Sequence, residues 1–126
     1  MSRILVVDDE ANIRVLYADE LAEEGYEVVT AGNTTEAAER LREGQFDLAV
    51  LDIKLKNESG IDLLQQLVKE RHDMPVILCS AFSCYKDDFS AWLADGYVVK
   101  SSDLSELKQE ISRVLAKKAQ RAKTGL

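Results

Sequence analysis

Leu48-Ala49-Val50-Leu51-Asp52, with Gly60 eight positions past its aspartate, is the stretch on which the fold turns. An apolar run of strand length ends on a single carboxylate, and a loop and a helix follow. A run without polar alternation fits a strand buried on both faces of a parallel sheet. In an open α/β sheet, groups at the carboxyl ends of strands line the crevice where ligands bind. An aspartate there also suits a plainer task, starting the loop or capping the next element. A second acidic strand end, Asp8-Asp9, is the reason to read outward in both directions.

Upstream, residues 3–8 (Arg-Ile-Leu-Val-Val-Asp) form a short β-branched strand. Residues 10–24 place Ile13, Leu16, Tyr17 and Leu21 at helical spacing, and Gly25 stops that helix. Tyr26 to Thr30 is a second strand, and Asn33-x-x-Glu36 reads as the capping box of a helix ending near Glu43-Gly44. Downstream, a third helix runs from about Gly60 to Arg71 with Ile61, Leu64, Leu67 and Val68 on its apolar face. Pro75 to Ser80 is the fourth strand, with proline where a missing N–H costs least. A weaker helix follows over residues 85–94, then Tyr97-Val-Val-Lys100 as the fifth strand. Asp103-x-x-Glu106 caps a last helix whose stripe is Leu104, Leu107, Ile111, Val114 and Leu115.

Five βα units in succession predict an α/β fold, a doubly wound parallel sheet with helices on both faces. The flavodoxin-like (βα)5 strand order 2-1-3-4-5 is expected, with its switch point between strands 1 and 3. Asp8-Asp9 ends strand 1 and Asp52 ends strand 3, so the carboxylates converge where this fold binds ligands.

The 126 residues suffice for one domain with a real core. A net charge of −7 is a poor match to nucleic acid, which calls for clustered cations. The last ten residues carry +4 through Lys117, Lys118, Arg121 and Lys123, leaving −11 on residues 1–116. We therefore divide the chain into a domain over 1–116 and a basic tail over 117–126. That tail suits a solvated helix end, a partner contact or a linker to an output domain. No apolar run approaches membrane-spanning length and no signal peptide opens the chain, so a cytoplasmic location is expected. Cys79 and Cys84 lack metal or redox-pair spacing, and Cys79 reads as a reduced core thiol. The single histidine, His72, falls in a polar loop and reads as solvated.

Carboxylates crowded at one edge repel each other unless a cation intervenes. A hard divalent ion with oxygen ligands is the simplest partner; Mg2+ takes one or two carboxylates plus waters and phosphate oxygens. One carboxylate could then attack phosphorus, as aspartyl-phosphate chemistry requires, with a cation and a small hydroxyl assisting. Ser80 and Lys100 end the fourth and fifth strands and offer those two groups. Taken singly, each has a plainer role: a cap for Ser80, a solvated ammonium for Lys100, a helix first turn for Asp8-Asp9. Together they supply acid, acid, hydroxyl and ammonium along one sheet edge.

With these residues in place the sequence resembles the receiver domain of two-component response regulators, of the chemotaxis-regulator type. The resemblance covers residues 3–116 and rests on Val7-Asp8-Asp9-Glu10, Asp52 with Gly60, Ser80-Ala81, and Tyr97-Val-Val-Lys100. It implies that Asp52 is the phosphoacceptor, charged by a sensor histidine kinase or phosphotransfer protein. It implies that Asp9, Asp52 and the Lys54 main-chain carbonyl bind Mg2+, with Asp8 acting largely through water. Ser80 would hydrogen-bond the phosphoryl group, Lys100 would pair with it, and Tyr97 would be the aromatic switch. The output would be a phosphorylation-dependent change of the face made by helix 4, strand 5 and helix 5, read by a downstream protein or an output domain. Such a chain is a self-phosphorylating switch, not a turnover enzyme.

Some positions depart from the family pattern. Lys56 and Ser101 stand where the family usually has prolines, the second joined by a cis bond, and Leu93 replaces a glycine. A cis bond to a non-proline residue costs about 2.5–4 kcal/mol, which weighs against the cis geometry at Lys100-Ser101. Tyr85, Phe89 and Trp92 share one helical stripe, read as a core face. Lys54 and Phe82 occupy positions that tune phosphoryl loss, and the bulk of Phe82 points to slow self-dephosphorylation. Two rival readings use the same fold. One is a phosphorylation-independent, pseudo-receiver binding module, favoured by Lys56 and Ser101 and opposed by the intact Asp8, Asp9, Asp52, Ser80 and Lys100. The other is a flavodoxin-like cofactor binder, opposed by Asp8-Asp9-Glu10, which would repel a phosphate where a Gly- or Ser-rich cradle is needed.

Overall fold

The computed structural model describes residues 2–55, 58–70, 74–80, 94–100 and 103–123. In chain order the elements are β1 (Arg3–Val7), α1 (Ala11–Glu23), β2 (Glu27–Ala31), α2 (Thr34–Glu43) and β3 (Leu48–Asp52). Then come β4 (Lys54–Leu55), β5 (Glu58–Ser59), α3 (Gly60–Glu70), β6 (Val76–Ser80), β7 (Gly96–Val99) and α4 (Ser105–Lys123). The main sheet has the order β2-β1-β3-β6-β7 with every neighbouring pair parallel, which is the expected 2-1-3-4-5 arrangement. The expected helix over 85–94, Lys56, His72, Phe82, Cys84, Leu93 and the Lys100-Ser101 junction fall wholly or partly outside the described residues.

Period-two alternation along the buried strands divides the core into two layers. Leu5, Val7, Ala49, Leu51, Val76 and Leu78 face α2 and α3, joined there by Ala37, Leu41, Leu63, Leu64 and Leu67. Ile4, Val6, Leu48, Val50, Ile77 and Cys79 face α1 and α4, against Tyr17, Leu21, Leu104, Leu107, Ile111 and Val114. Every residue of β3 and β6 is buried, as their unbroken apolar runs require.

Three local features differ from expectation. Leu16, expected on the core face of α1, is 38% exposed, and its neighbour Val15 is 62% exposed. The inward stripe is instead Ile13, Tyr17 and Leu21 at i, i+4 and i+8, which leaves Leu16 to one side. The stretch after Asp52, expected as plain loop, pairs Lys54 with Ser59 and Leu55 with Glu58 in a small antiparallel hairpin. At the start of α2, Asn33 Oδ1 accepts the Glu36 N–H at 2.8 Å as expected, but Glu36 Oε1 accepts from the Gly32 N–H at 2.8 Å. The reciprocal half of that capping box is therefore shifted by one residue.

Just past the end of α1, Gly25 has a φ of +92°, which suits a residue without a Cβ. Helix α4 continues unbroken to Lys123, so most of the basic stretch is helical. Lys118 Nζ reaches back to the Asp47 carbonyl at 3.3 Å. Among the described residues no helix is long and apolar enough to cross a membrane.

Candidate functional site

The carboxyl edge of the sheet is built by strand register. Cα pairing sets Val7 beside Leu51, Asp52 beside Cys79, and Ser80 beside Val99. The residues just past these pairs are Asp8, Asp9 and Lys100. Main-chain bonds extend the ladder past the strands: Asp8 N–H to Ala31 O at 3.1 Å, Ile53 N–H to Cys79 O at 3.2 Å, and Lys100 N–H to Ser80 O at 2.6 Å. The sheet thus fixes where each candidate side chain starts.

Lys100 links two of them. Its Nζ lies 2.7 Å from Asp8 Oδ2 and 2.9 Å from Asp52 Oδ2. The side chains of Asp8 and Asp52 are only 3% and 7% exposed, and that of Lys100 is 16% exposed. Burial alone would lower the Lys100 pKa. Hydrogen bonds and charge from Asp8 and Asp52 more than offset this and raise it above the ordinary lysine range. One ammonium shared by two buried carboxylates leaves the cluster net negative.

More negative charge stands beside it. Carboxylate oxygens of Asp8, Asp9 and Glu10 lie within 4.8 Å of one another. Asp8 Oδ1 also accepts the Glu10 N–H at 2.9 Å, which holds the turn tight. All the donors are hard oxygens, a set that suits Mg2+ over a soft transition metal. The sequence reading counts Glu10 in the acidic run after β1 but does not place it among the metal ligands. A second residue that reasoning missed is Arg14, whose Nη1 donates to the Asp8 carbonyl at 2.7 Å. Its only sequence signal is its place one helical turn after Glu10.

Gly60 is where α3 meets the phosphoacceptor candidate. Its N–H donates to the Ile53 carbonyl at 2.7 Å. A Cβ at this position would overlap the Asp52 carbonyl oxygen and stand 2.8 Å from its carbon. Only glycine permits this approach without moving the backbone of Asp52. Ser80 is buried at the end of β6, and Tyr97 is half-buried in β7 against the α2–α3 layer. Lys54 lies two residues past Asp52 in β4.

Beneath the carboxylates, Tyr17 Oη and Cys79 Sγ are 3.5 Å apart in the α1–α4 layer. Burial, and then the Cys79 partner, raises the Tyr17 pKa. Burial likewise pushes the Cys79 thiol up to about 11, against the lowering effects of Tyr17 and Lys100. A buried thiol held protonated is a poor nucleophile. Alkylation of the folded protein near about pH 8 is expected to leave Cys79 unmodified, at least about a hundredfold slower than in urea. Peptide mass mapping after iodoacetamide treatment reads this; equal rates with and without urea would contradict it.

Two acids, a hydroxyl and an ammonium at adjoining strand ends raise a question of kinship that comparison with known proteins answers. The family described as response regulator receiver domain matches residues 4–112. The response regulator TrrA of Thermotoga maritima, solved in complex with Mg2+-BeF, is 46% identical with a TM-score of 0.86. That match covers 90% of this chain and 99% of the other. In a second structure TrrA is bound to the histidine kinase ThkA, with 47% identity, a TM-score of 0.85, and 91% and 99% of the two chains covered. A probable transcriptional regulator, ycf27, of Porphyra purpurea is 40% identical over 115 residues, 90% of this chain but 47% of that protein. The chain thus spans about half or less of the length of the curated relatives it matches. Sheet order, edge chemistry and a match over nearly the whole fold agree: the chain belongs to the response regulator receiver domain family.

Proposed function

We propose that this domain accepts a phosphoryl group from a histidine kinase on Asp52, in a Mg2+-dependent reaction, and passes the change to a partner through a face that includes β7 and α4. The observation that carries this reading is the shared Lys100 ammonium, within 2.9 Å of both Asp8 and Asp52 at the sheet's carboxyl edge. An Asp52 carboxylate oxygen forms the new O–P bond as the P–N bond to the donor histidine breaks. Lys100 then exchanges its Asp52 contact for a phosphoryl oxygen, and the Ser80 hydroxyl donates to another. Asp9, Asp52 and the Lys54 carbonyl would hold Mg2+, which supplies neutralising charge for the phosphoryl oxygens. Both carboxylate oxygens of Asp8 already have partners in Glu10 N–H and Lys100, which favours a water-mediated part for it.

Tyr97 fits the switch position because it is only half-buried and its strand neighbour across the sheet is Leu78, two residues before Ser80. Movement of Ser80 toward the phosphoryl group would open space on that side. The kinase would approach over α1, where Val15 and Leu16 expose apolar surface next to the acidic turn. TrrA in complex with ThkA is the precedent for such a partner.

Beryllofluoride, a phosphoryl mimic, tests the reading in solution. Amide NMR signals of Ser80, Tyr97 and Lys100 are expected to shift when it is added with Mg2+, and to stay put with EDTA or in Asp52→Ala. Shifts that persist in Asp52→Ala, or none in the wild type, would favour the phosphorylation-independent binding module.

A further inference from the structure

We propose that Arg14 is a positioning residue for the divalent-cation site, acting through the main-chain carbonyl of Asp8; the inference rests on the reading of that site given above. Asp8 is tied on every other side. Its N–H donates to Ala31 O, its Oδ1 takes the Glu10 N–H, and its Oδ2 takes Lys100. The carbonyl is the remaining polar group, and Arg14 Nη1 donates to it at 2.7 Å. A charged donor makes this a stronger bond than an ordinary amide contact. The peptide plane it fixes joins Asp8 to Asp9, and so sets the direction from which the Asp9 and Glu10 carboxylates leave the chain.

The neighbouring loop is shaped around this guanidinium. A Cβ on Gly32 would stand 3.0 Å from Arg14 Nη1 and 2.9 Å from Glu36 Oε1. Glu36 in turn is held by the Gly32 N–H. Arg14 starts from the first turn of α1, where its own N–H bonds Glu10 O at 3.1 Å, so helix register sets its reach. It therefore joins the acidic turn to both α1 and the loop after β2.

Charge alone argues the opposite way. A guanidinium beside a cation site repels the cation, so removing it should tighten Mg2+ binding. A positioning role predicts weaker binding, and the sign of the effect decides between them. Calorimetric Mg2+ titration of the full chain, with thermal unfolding in EDTA alongside, provides the readout. Arg14→Ala is expected to weaken Mg2+ binding by about tenfold, the usual scale for losing the partner that orients a ligand. Arg14→Lys should recover most of that, because an ammonium can donate to the same carbonyl. Gly32→Ala should weaken binding by a smaller factor, since both crowded groups are ends of flexible side chains. Unchanged or tighter binding in Arg14→Ala, or no recovery in Arg14→Lys, would overturn the inference. Should Arg14→Ala fail to fold, Arg14→Lys and Gly32→Ala carry the test: near wild-type binding in the first and weaker binding in the second are expected, and the reverse overturns it. A wild-type protein that binds no Mg2+ would overturn the site itself and this inference with it.

Discussion

Lys100→Met is expected to cost the folded domain about 3–5 kcal/mol at neutral pH, the range for breaking a buried ion pair from one side. Asp8 and Asp52 would both lose the ammonium they share, while each stays nearly excluded from water. Mg2+ should restore part of the loss, so its addition raises the unfolding midpoint of Lys100→Met by more than that of the wild type. Chemical unfolding with and without Mg2+ measures both effects. An unfolding free energy within about 0.5 kcal/mol of wild type would mean that the two carboxylates do not depend on the ammonium. The sign of the pH dependence follows from the raised Lys100 pKa. Its stabilisation is complete below the unfolded lysine value of about 10.4 and is lost as pH rises through the higher folded value.

The second large effect is expected at Gly60. In Gly60→Ala the new methyl meets the Asp52 carbonyl and, at 3.0 Å, the Ile53 Cα, all of it backbone in a buried strand end. Overpacking against groups that cannot yield costs about 3 kcal/mol. If the chain still folds, Asp52 must shift, and a misplaced reacting group loses about a hundredfold in rate. Labelling by acetyl phosphate should then slow by that order while Mg2+ binding through Asp9 changes less. Gly44→Ala is the control, because its Cβ would meet only the flexible end of Arg3. Equal stability of the two variants would contradict this account of Gly60.

Much of this arrangement is legible in the amino-acid sequence. The unbroken apolar run of β3 and the β-branched run of β1 point to buried parallel strands, and alternation with helices points to the commonest doubly wound order, which the sheet has. Given that topology, the residue after each strand had to fall on one edge, so Asp8, Asp52, Ser80 and Lys100 could be grouped from position alone. The features that stayed hidden depend on side-chain reach and on direction around a helix. Leu16 has the composition of a core residue, but it sits beside the stripe that Tyr17 and Leu21 define. Glu36 bonds Gly32 because the absent side chain there lets the carboxylate pass the expected N–H. Arg14 meets a carbonyl, an interaction that leaves no mark in residue identity. The β4–β5 hairpin is two residues to a strand, too short for any periodicity to register.

The most direct test of the central claim is intact mass after incubation with acetyl phosphate, run with Mg2+ and with EDTA, on the wild type and on Asp52→Ala. The account predicts a gain of one phosphoryl group in the wild type with Mg2+, and none with EDTA or in Asp52→Ala. A gain that ignores EDTA or survives in Asp52→Ala would contradict it, as would a folded wild-type protein that gains nothing.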